Sequence, residues 1–139
     1  MDFSSINWLA VLACVIAAMV IGSIWYNPKT FFPTWWQAIG KTGEPVMGEN
    51  MGLTWGLTIL ASLVQAIFIS LMVTVMGSLS GGATLVSGMT VGFLLWLGFV
   101  APSSLTNKLF SDQKKAWLIE VSGHLVTFVV MGAILGAWR

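Results

Sequence analysis

Residues 53–76 have the sequence LTWGLTILASLVQAIFISLMVTVM, which contains no charged side chain. A helix needs about 20 predominantly apolar residues to cross the roughly 30 Å hydrocarbon layer of a bilayer, and this stretch is long enough. Its apolar residues do not alternate with polar ones, so the strand of a membrane barrel is excluded. The stretch therefore predicts a membrane-spanning α-helix.

Three further stretches have the same character, namely residues 6–25, 83–106 and 116–138, and only the last contains a charged residue, Glu120. Of the 139 residues in the chain, 57% are hydrophobic and 8% are charged. A soluble domain usually has about 25% charged residues, so a soluble globular fold, a disordered chain and a nucleic-acid-binding protein are excluded. We predict one all-α domain over residues 1–139, a four-transmembrane-helix bundle in a lipid bilayer.

Residues that break helices lie between or within these spans. Asn27 precedes Pro28, and a residue before proline disfavours the helical conformation. The sequence GSLSGG at residues 77–82 predicts a tight turn, so the second and third spans should be antiparallel neighbours. Pro102 lacks an N–H group, so we expect a local kink in the third span.

The distribution of basic residues predicts the orientation. The loops after the first and third spans contain Lys29, Lys41, Lys108, Lys114 and Lys115, whereas Arg139 lies on the other side. Because cytoplasmic loops carry an excess of lysine and arginine, these loops should be cytoplasmic. Both termini should then be extracytoplasmic.

The first of these loops has an aromatic pattern of its own. Its large apolar residues recur at helical spacing; they are Phe31, Phe32, Trp35, Trp36 and Ile39. This pattern predicts a short helix at about residues 30–40 that lies in the membrane interface. The alternative is a loop that folds back onto the bundle.

Four segments, in order, carry a resemblance to a known family: residues 25–28 (WYNP), residues 96–102 (WLGFVAP), Asn107 and residues 132–138 (GAILGAW). Over nearly its whole length the chain resembles a small bacterial membrane-protein family catalogued as domain of unknown function 1761. The resemblance implies a four-span protein of the bacterial inner membrane. It carries over no activity and no catalytic residue.

The fourth span has one polar face. Glu120 and His124 are separated by one helical turn, so their side chains can pair, and Glu120 is near enough to the helix start to be wetted. Buried ionisable residues in a span indicate a functional site by default. The alternative is a glutamate near a helix N-terminus beside a packed histidine.

Other polar residues fall in the same half of the predicted bundle. With Glu120 and His124 as ligand or proton-relay groups, the residues predicted to supply hydrogen bonds are Gln65, Asn107, Tyr26 and Asn27. The opposite half has fewer polar side chains. The sequence therefore predicts a cytoplasm-facing polar pocket, shared by the four spans and closed on its other side by apolar residues.

Glycines are spaced four residues apart on two spans, at Gly88 and Gly92 and at Gly132 and Gly136. Such small-residue patterns allow two helices to approach closely, so these glycines should serve helix packing or an oligomer contact. Because Gly132 and Gly136 lie away from the Glu120 face, they are our candidate subunit contact. We expect a homo-oligomer, with a dimer favoured.

Two functions remain open at this point. The first is binding or translocation of a small solute or lipid through the polar pocket, with proton coupling as one form of it. The alternative is a non-catalytic structural or regulatory subunit that binds a larger membrane partner or self-assembles through its glycine faces. An intramembrane enzyme is disfavoured, since a single histidine and a single cysteine cannot form a histidine-rich or multi-thiolate metal site. We expect no cofactor, no metal and no nucleic-acid partner.

Overall fold

A computed structural model describes residues 2–43 and 51–139 of the chain, and all regular secondary structure in these ranges is helical. A short 3₁₀ turn at Phe3–Ser5 precedes the α-helices, which are α1 (Trp8–Trp25), α2 (Phe32–Ala38), α3 (Met51–Leu79), α4 (Leu85–Leu95), α5 (Ala101–Phe110) and α6 (Lys114–Ala137). Within this part of the chain, four helical segments are long and apolar enough to cross a membrane: α1, α3, α4 with α5, and α6. The predicted all-α membrane bundle is therefore confirmed.

The ends of the helices follow from local sequence. The Asn7 side chain accepts hydrogen bonds from the N–H groups of Leu9 and Ala10, at 3.1 and 3.2 Å, and so caps the start of α1. At the start of α4, Thr84 and Ser87 form a reciprocal capping box. Such caps satisfy N–H groups that have no partner inside the helix. All four spans end within a few residues of their predicted limits.

The third span is continuous, but its middle is irregular. The segment Trp96–Val100, between α4 and α5, forms a π-helical turn in which the Ala101 N–H bonds to the Trp96 carbonyl. Pro102 follows immediately and cannot donate a hydrogen bond of its own. The irregularity near Pro102 is therefore a widened turn, which lengthens the helical repeat locally, and the kink expected there stays a prediction.

The turn between α3 and α4 depends on glycine. Gly81 and Gly82 have φ angles of 85° and 131°, which residues with a side chain rarely adopt. The Gly82 N–H donates to the Gly77 carbonyl at 2.7 Å and closes the turn. A Cβ atom at Gly77 would lie 2.9 Å from the Ala83 nitrogen. These glycines allow α4 to turn back beside α3.

Helices α1 and α6 are antiparallel along most of their length. The Asn7 amide donates to the Trp138 carbonyl at 3.5 Å, at the start of α1. The Cys14 thiol lies 3.7 Å from the Met131 carbonyl, further along α1. The two helices therefore run side by side from one end of the bundle toward the other.

Helices α4 and α6 make direct contact through the four predicted glycines, all of which are buried. A Cβ atom at Gly88 would overlap the Gly132 carbonyl oxygen, and one at Gly92 would overlap the Phe128 carbonyl oxygen. The predicted helix-packing use of these glycines is therefore what the structure shows. The predicted subunit contact at Gly132 and Gly136 is wrong, because α4 of the same chain covers that face.

The apolar core occupies one half of the bundle, which we call the closed half. Its fully buried residues include Cys14, Ile69, Met131 and Leu135. They come from the first part of α1, the last part of α3 and the last part of α6, so the closed half is the end opposite the lysine-bearing loops. Among the described residues, the cluster consists of Ile6, Ala10, Val11, Cys14, Ala18, Ala66, Ile69, Leu71, Val73, Val91, Phe128, Met131 and Leu135.

Candidate functional site

The other half of the bundle contains a cleft of about 1370 Å³, which we call the lysine-end cleft. It lies between the last part of α1, α2, the first part of α3 and the first part of α6, with residues 40–43 at its rim. Ligand pockets commonly have volumes of about 300–1,000 Å³, so this space is large enough for a drug-sized molecule or a lipid chain. The lysine-end cleft is therefore the candidate site.

Aromatic side chains form much of the cleft wall near the lysine-bearing loops. The rings of Tyr26 and Trp35 meet edge to face with centroids 5.3 Å apart, and Phe32 stacks on Trp36 at 5.8 Å. The first contact holds α2 against the end of α1, and the second lies within α2. The predicted short helix thus exists, at Phe32–Ala38 rather than residues 30–40, and it also folds back onto the bundle. The Trp36 indole nitrogen is buried, and no described residue accepts a hydrogen bond from it.

Glu120 connects three helices at one edge of the cleft. Its Oε1 accepts a hydrogen bond from the Trp35 indole at 3.1 Å and lies 3.3 Å from the Lys108 ammonium. Lys108 also donates to Gln113 at 3.3 Å, and Gln113 donates to the Ile39 carbonyl at 3.2 Å. This network ties α2 and α5 to α6.

The network corrects one prediction made from the sequence. The Glu120 carboxylate bonds to Lys108 and Trp35 rather than to His124, one turn along the same helix. The reason is that α5 brings an ammonium group to the carboxylate, and a full opposite charge is a stronger partner than an imidazole. His124 nevertheless lines the cleft, as does Glu120.

In the deeper part of the cleft, the polar side chains of Gln65 and His124 are available to hydrogen-bond to a ligand. Neither makes a hydrogen bond to any residue in the described part of the chain. The neighbouring hydroxyl groups, in contrast, donate to carbonyls of their own helices: Ser62 to Thr58 at 3.0 Å and Thr127 to Gly123 at 2.9 Å. Such back-bonding satisfies a hydroxyl donor within its own helix. An amide and an imidazole therefore face the open space.

Asn27 and Asn107 do not line the cleft. The Asn27 side chain accepts a hydrogen bond from the Lys29 N–H at 2.9 Å and shapes the turn after α1. Asn107 is exposed on α5, where its carbonyl accepts from the Ser111 hydroxyl at 3.1 Å. The expected contribution of the third span to the pocket is therefore wrong, since the described lining comes from α1, α2, α3, α6 and the residues after α2.

Tyr26 lies at the end of α1, just beyond its membrane-spanning segment, and it lines the cleft. Burial, together with the nearby negative charge of Glu120, raises the pKa of Tyr26 to about 12. Both causes disfavour the phenolate, so the side chain is an uncharged phenol at physiological pH. Tyr26 thus adds a hydrogen-bonding group without adding charge.

Sequence reasoning missed several residues that build this site. Lys108 was assigned only to a solvated loop, and Trp35 only to the membrane interface, although both bind Glu120. Trp25 donates to the Ile119 carbonyl at 2.8 Å, and Gly123 provides the space for its ring. The available signal was the short loop between α5 and α6, which brings a lysine and a glutamate close together.

The described residues of the site form no cluster of metal-ligating side chains. Within residues 2–43 and 51–139, no three histidine, cysteine, aspartate or glutamate side chains lie close enough to hold a metal ion. The cleft instead offers aromatic rings, a compensated carboxylate and the polar groups of Tyr26, Gln65 and His124. Such a set can enclose an organic molecule and hydrogen-bond to its polar part.

The segments that carry the family resemblance have clear structural roles. Residues 96–102 include the widened turn of the third span, and Gly132 and Gly136 form the contact with α4. No curated protein and no solved structure matches the chain. A family model, in contrast, matches residues 9–136, which include all four spans except for the ends of α1 and α6. The chain therefore belongs to the family described as "Protein of unknown function (DUF1761)".

Proposed function

We propose that this protein binds a small lipid-soluble molecule in the lysine-end cleft, and that the cleft faces the cytoplasm. The observation that carries the proposal is the contrast between a cleft of about 1370 Å³ and a closed half whose core side chains are fully buried. The orientation follows from the excess of lysine at the cleft end, by the positive-inside rule.

The shape of the bundle favours binding over passage through one subunit. The cleft ends near Ala18 and Gln65, and beyond that depth the core residues of α1, α3 and α6 pack together. A ligand that enters from the lysine end would therefore meet a packed wall near the middle of the bundle. Its polar part can reach Gln65 and His124, while its apolar part contacts the aromatic wall.

A substitution that fills the cleft tests this proposal. Gly22 lines the cleft, and no described atom of a neighbouring element lies within 4 Å of a Cβ built there. Gly22→Trp should therefore occupy the ligand space without forcing the backbone to move. Gly56 is equally free of neighbours, is exposed on α3 and does not line the cleft, so Gly56→Trp is the matched control.

Native mass spectrometry of the protein released from detergent micelles provides the measurement. Wild type and Gly56→Trp should retain a bound small molecule or lipid, and Gly22→Trp should lose it while keeping the same helical circular dichroism. Equal retention by all three proteins would place the bound molecule outside the cleft and refute the proposal. If wild type instead carries no small molecule and co-purifies with a protein partner in stoichiometric amount, the structural-subunit alternative is supported.

A further inference from the structure

The geometry points to an uncharged amphiphile as the ligand of the lysine-end cleft, with Lys108 as the residue that sets this selectivity. Lys108 does so by neutralising Glu120 from a position outside the cleft. The inference rests on the proposed binding function and names the ligand class for that same site.

Few charged side chains line the cleft, and the partly buried one of them is compensated. Among the described lining residues, the formally charged side chains are Glu120 and Lys41. Lys41 belongs to the rim, whereas Glu120 projects from α6 with only 19% of its side chain exposed. The Lys108 ammonium lies 3.3 Å from the carboxylate and is itself 19% exposed, so the two charges compensate each other in a partly desolvated place.

Lys108 neutralises Glu120 from outside the cleft. It reaches Glu120 from α5, and α5 contributes no residue to the cleft lining. Its charge therefore cancels that of the carboxylate without occupying ligand space. A salt bridge inside the cleft would have filled part of the volume, whereas this one leaves it open.

Without Lys108, the aromatic residues beside Glu120 would favour the binding of an organic cation. Trp35 and Tyr26 lie next to the carboxylate, and their rings pack edge to face. Aromatic faces beside a free carboxylate are a general arrangement for binding organic ammonium groups. Because Lys108 already supplies the positive charge, an ammonium ligand would have to displace it. The intact cleft is therefore expected to reject cations.

The deeper part of the cleft favours an uncharged polar group. Gln65 and His124 can donate and accept hydrogen bonds, and neither bonds to a described residue. A charged head group at that depth would find no opposite charge among the described lining residues, because Glu120 is compensated by Lys108 and Lys41 lies at the rim. An unpaired charge within the membrane is costly, whereas hydroxyl, ester or carbonyl groups can be satisfied there.

Three photoreactive amphiphiles with the same twelve-carbon chain test the inference directly. Their head groups are glycerol (uncharged), trimethylammonium (positive) and carboxylate (negative), and each chain carries a diazirine. The protein is placed in lipid nanodiscs at pH 8, where an ordinary histidine is uncharged, and is crosslinked with each amphiphile. Labelling of cleft peptides is divided by labelling of the exposed α4 face around Phe93, which corrects for partition into the bilayer.

We expect each single substitution to change the head-group charge that the cleft prefers. Wild type should enrich the glycerol amphiphile in the cleft over both charged ones. Lys108→Met should raise the relative enrichment of trimethylammonium about tenfold, because it exposes the Glu120 charge beside aromatic rings. Glu120→Gln leaves Lys108 uncompensated and should shift the preference toward the carboxylate. The double variant K108M/E120Q should return to the wild-type preference for glycerol.

Other outcomes separate the two proposals. Enrichment of either charged amphiphile over glycerol in wild type would overturn the inference and leave the binding function intact, as would a preference that Lys108→Met and Glu120→Gln do not change. No enrichment of any amphiphile in the cleft would overturn both. Because the two single variants shift the preference in opposite directions, failure of one to fold leaves the other as a complete test.

Discussion

The two halves of the bundle share α1, α3 and α6 but pack differently. In the closed half, Gly88 and Gly132 bring the backbones of α4 and α6 into contact, and medium-sized side chains fill the space between α1, α3 and α6. In the open half, the residues between helices are large and aromatic, and α2 is held against α6 by the bond from Trp35 to Glu120. The comparison shows that side-chain size at the helix contacts decides which half is solid and which contains a cleft.

Hydrogen bonds to α6 fix two tryptophan side chains. In the cleft wall, the Trp25 indole donates to the Ile119 carbonyl at 2.8 Å, and Trp96, which packs against the apolar core, donates to the Val121 carbonyl at 2.9 Å. Both acceptors belong to α6, which is therefore the helix against which the others are positioned. Trp25, which is held against Gly123 in the cleft wall, therefore separates α1 from α6 beside the cleft.

The largest expected effect comes from disrupting the closed half at its glycine contact. In Gly88→Leu the new side chain would overlap the Gly132 backbone, which cannot move aside as a flexible side chain could. We expect a loss of more than about 3 kcal/mol of stability, or no folded protein at all. Reversible unfolding in mixed micelles, followed by tryptophan fluorescence, measures this loss.

The control for that substitution is Gly56→Leu, since no described atom of a neighbouring element lies within 4 Å of a Cβ at Gly56. It should change stability by less than about 0.5 kcal/mol. Similar stabilities for the two variants would mean that α4 and α6 are not in contact in the membrane, and the distinction between the halves would be lost.

A smaller effect should distinguish two methionines. Met131 is completely buried in the closed half, whereas Met19 is only partly buried and lines the cleft. Met131→Ala should cost about 2–3 kcal/mol, because it leaves a void among packed neighbours. Met19→Ala should cost less than about 1 kcal/mol, because its side chain already borders open space. The same unfolding assay applies, and equal losses would contradict the assignment of an open half.

The smallest effect concerns Tyr26, the single tyrosine in the chain. Its pKa is raised to about 12 by burial and Glu120, whereas an unfolded tyrosine titrates near pH 10. Since the unfolded state loses this proton first, the contribution of Tyr26 to stability is complete below about pH 10 and is lost as the pH rises toward 12. Ultraviolet absorbance of the phenolate should therefore rise near pH 12 in the folded protein and near pH 10 in denaturant.

Tyr26→Phe provides the control for the titration. It should remove the phenolate signal and also the part of the alkaline loss of stability that depends on Tyr26. A folded-state midpoint close to pH 10 would show that Tyr26 is exposed to water and that the cleft wall is open at this point.

The sequence allowed part of the candidate site to be predicted. Glu120, His124 and Gln65 line the cleft, and helical periodicity had placed each of them on a polar face of its span. Tyr26, Asn27 and Asn107 were assigned to the same site by depth alone, and of these Tyr26 lines the cleft. Depth does not specify the direction in which a helix faces, and the two asparagines lie outside the cleft lining.

Sequence alone determined the four spans and their approximate limits, since an apolar run of sufficient length has no other stable state in a bilayer. Only the tertiary structure decided that Gly132 packs on Gly88 within the chain and that Lys108 pairs with Glu120. The reason is that lipid-facing and protein-facing sides of these helices are almost equally apolar, so the pattern cannot show which faces meet. That choice depends on the fit of side chains across a contact, which exists only once the helices are packed.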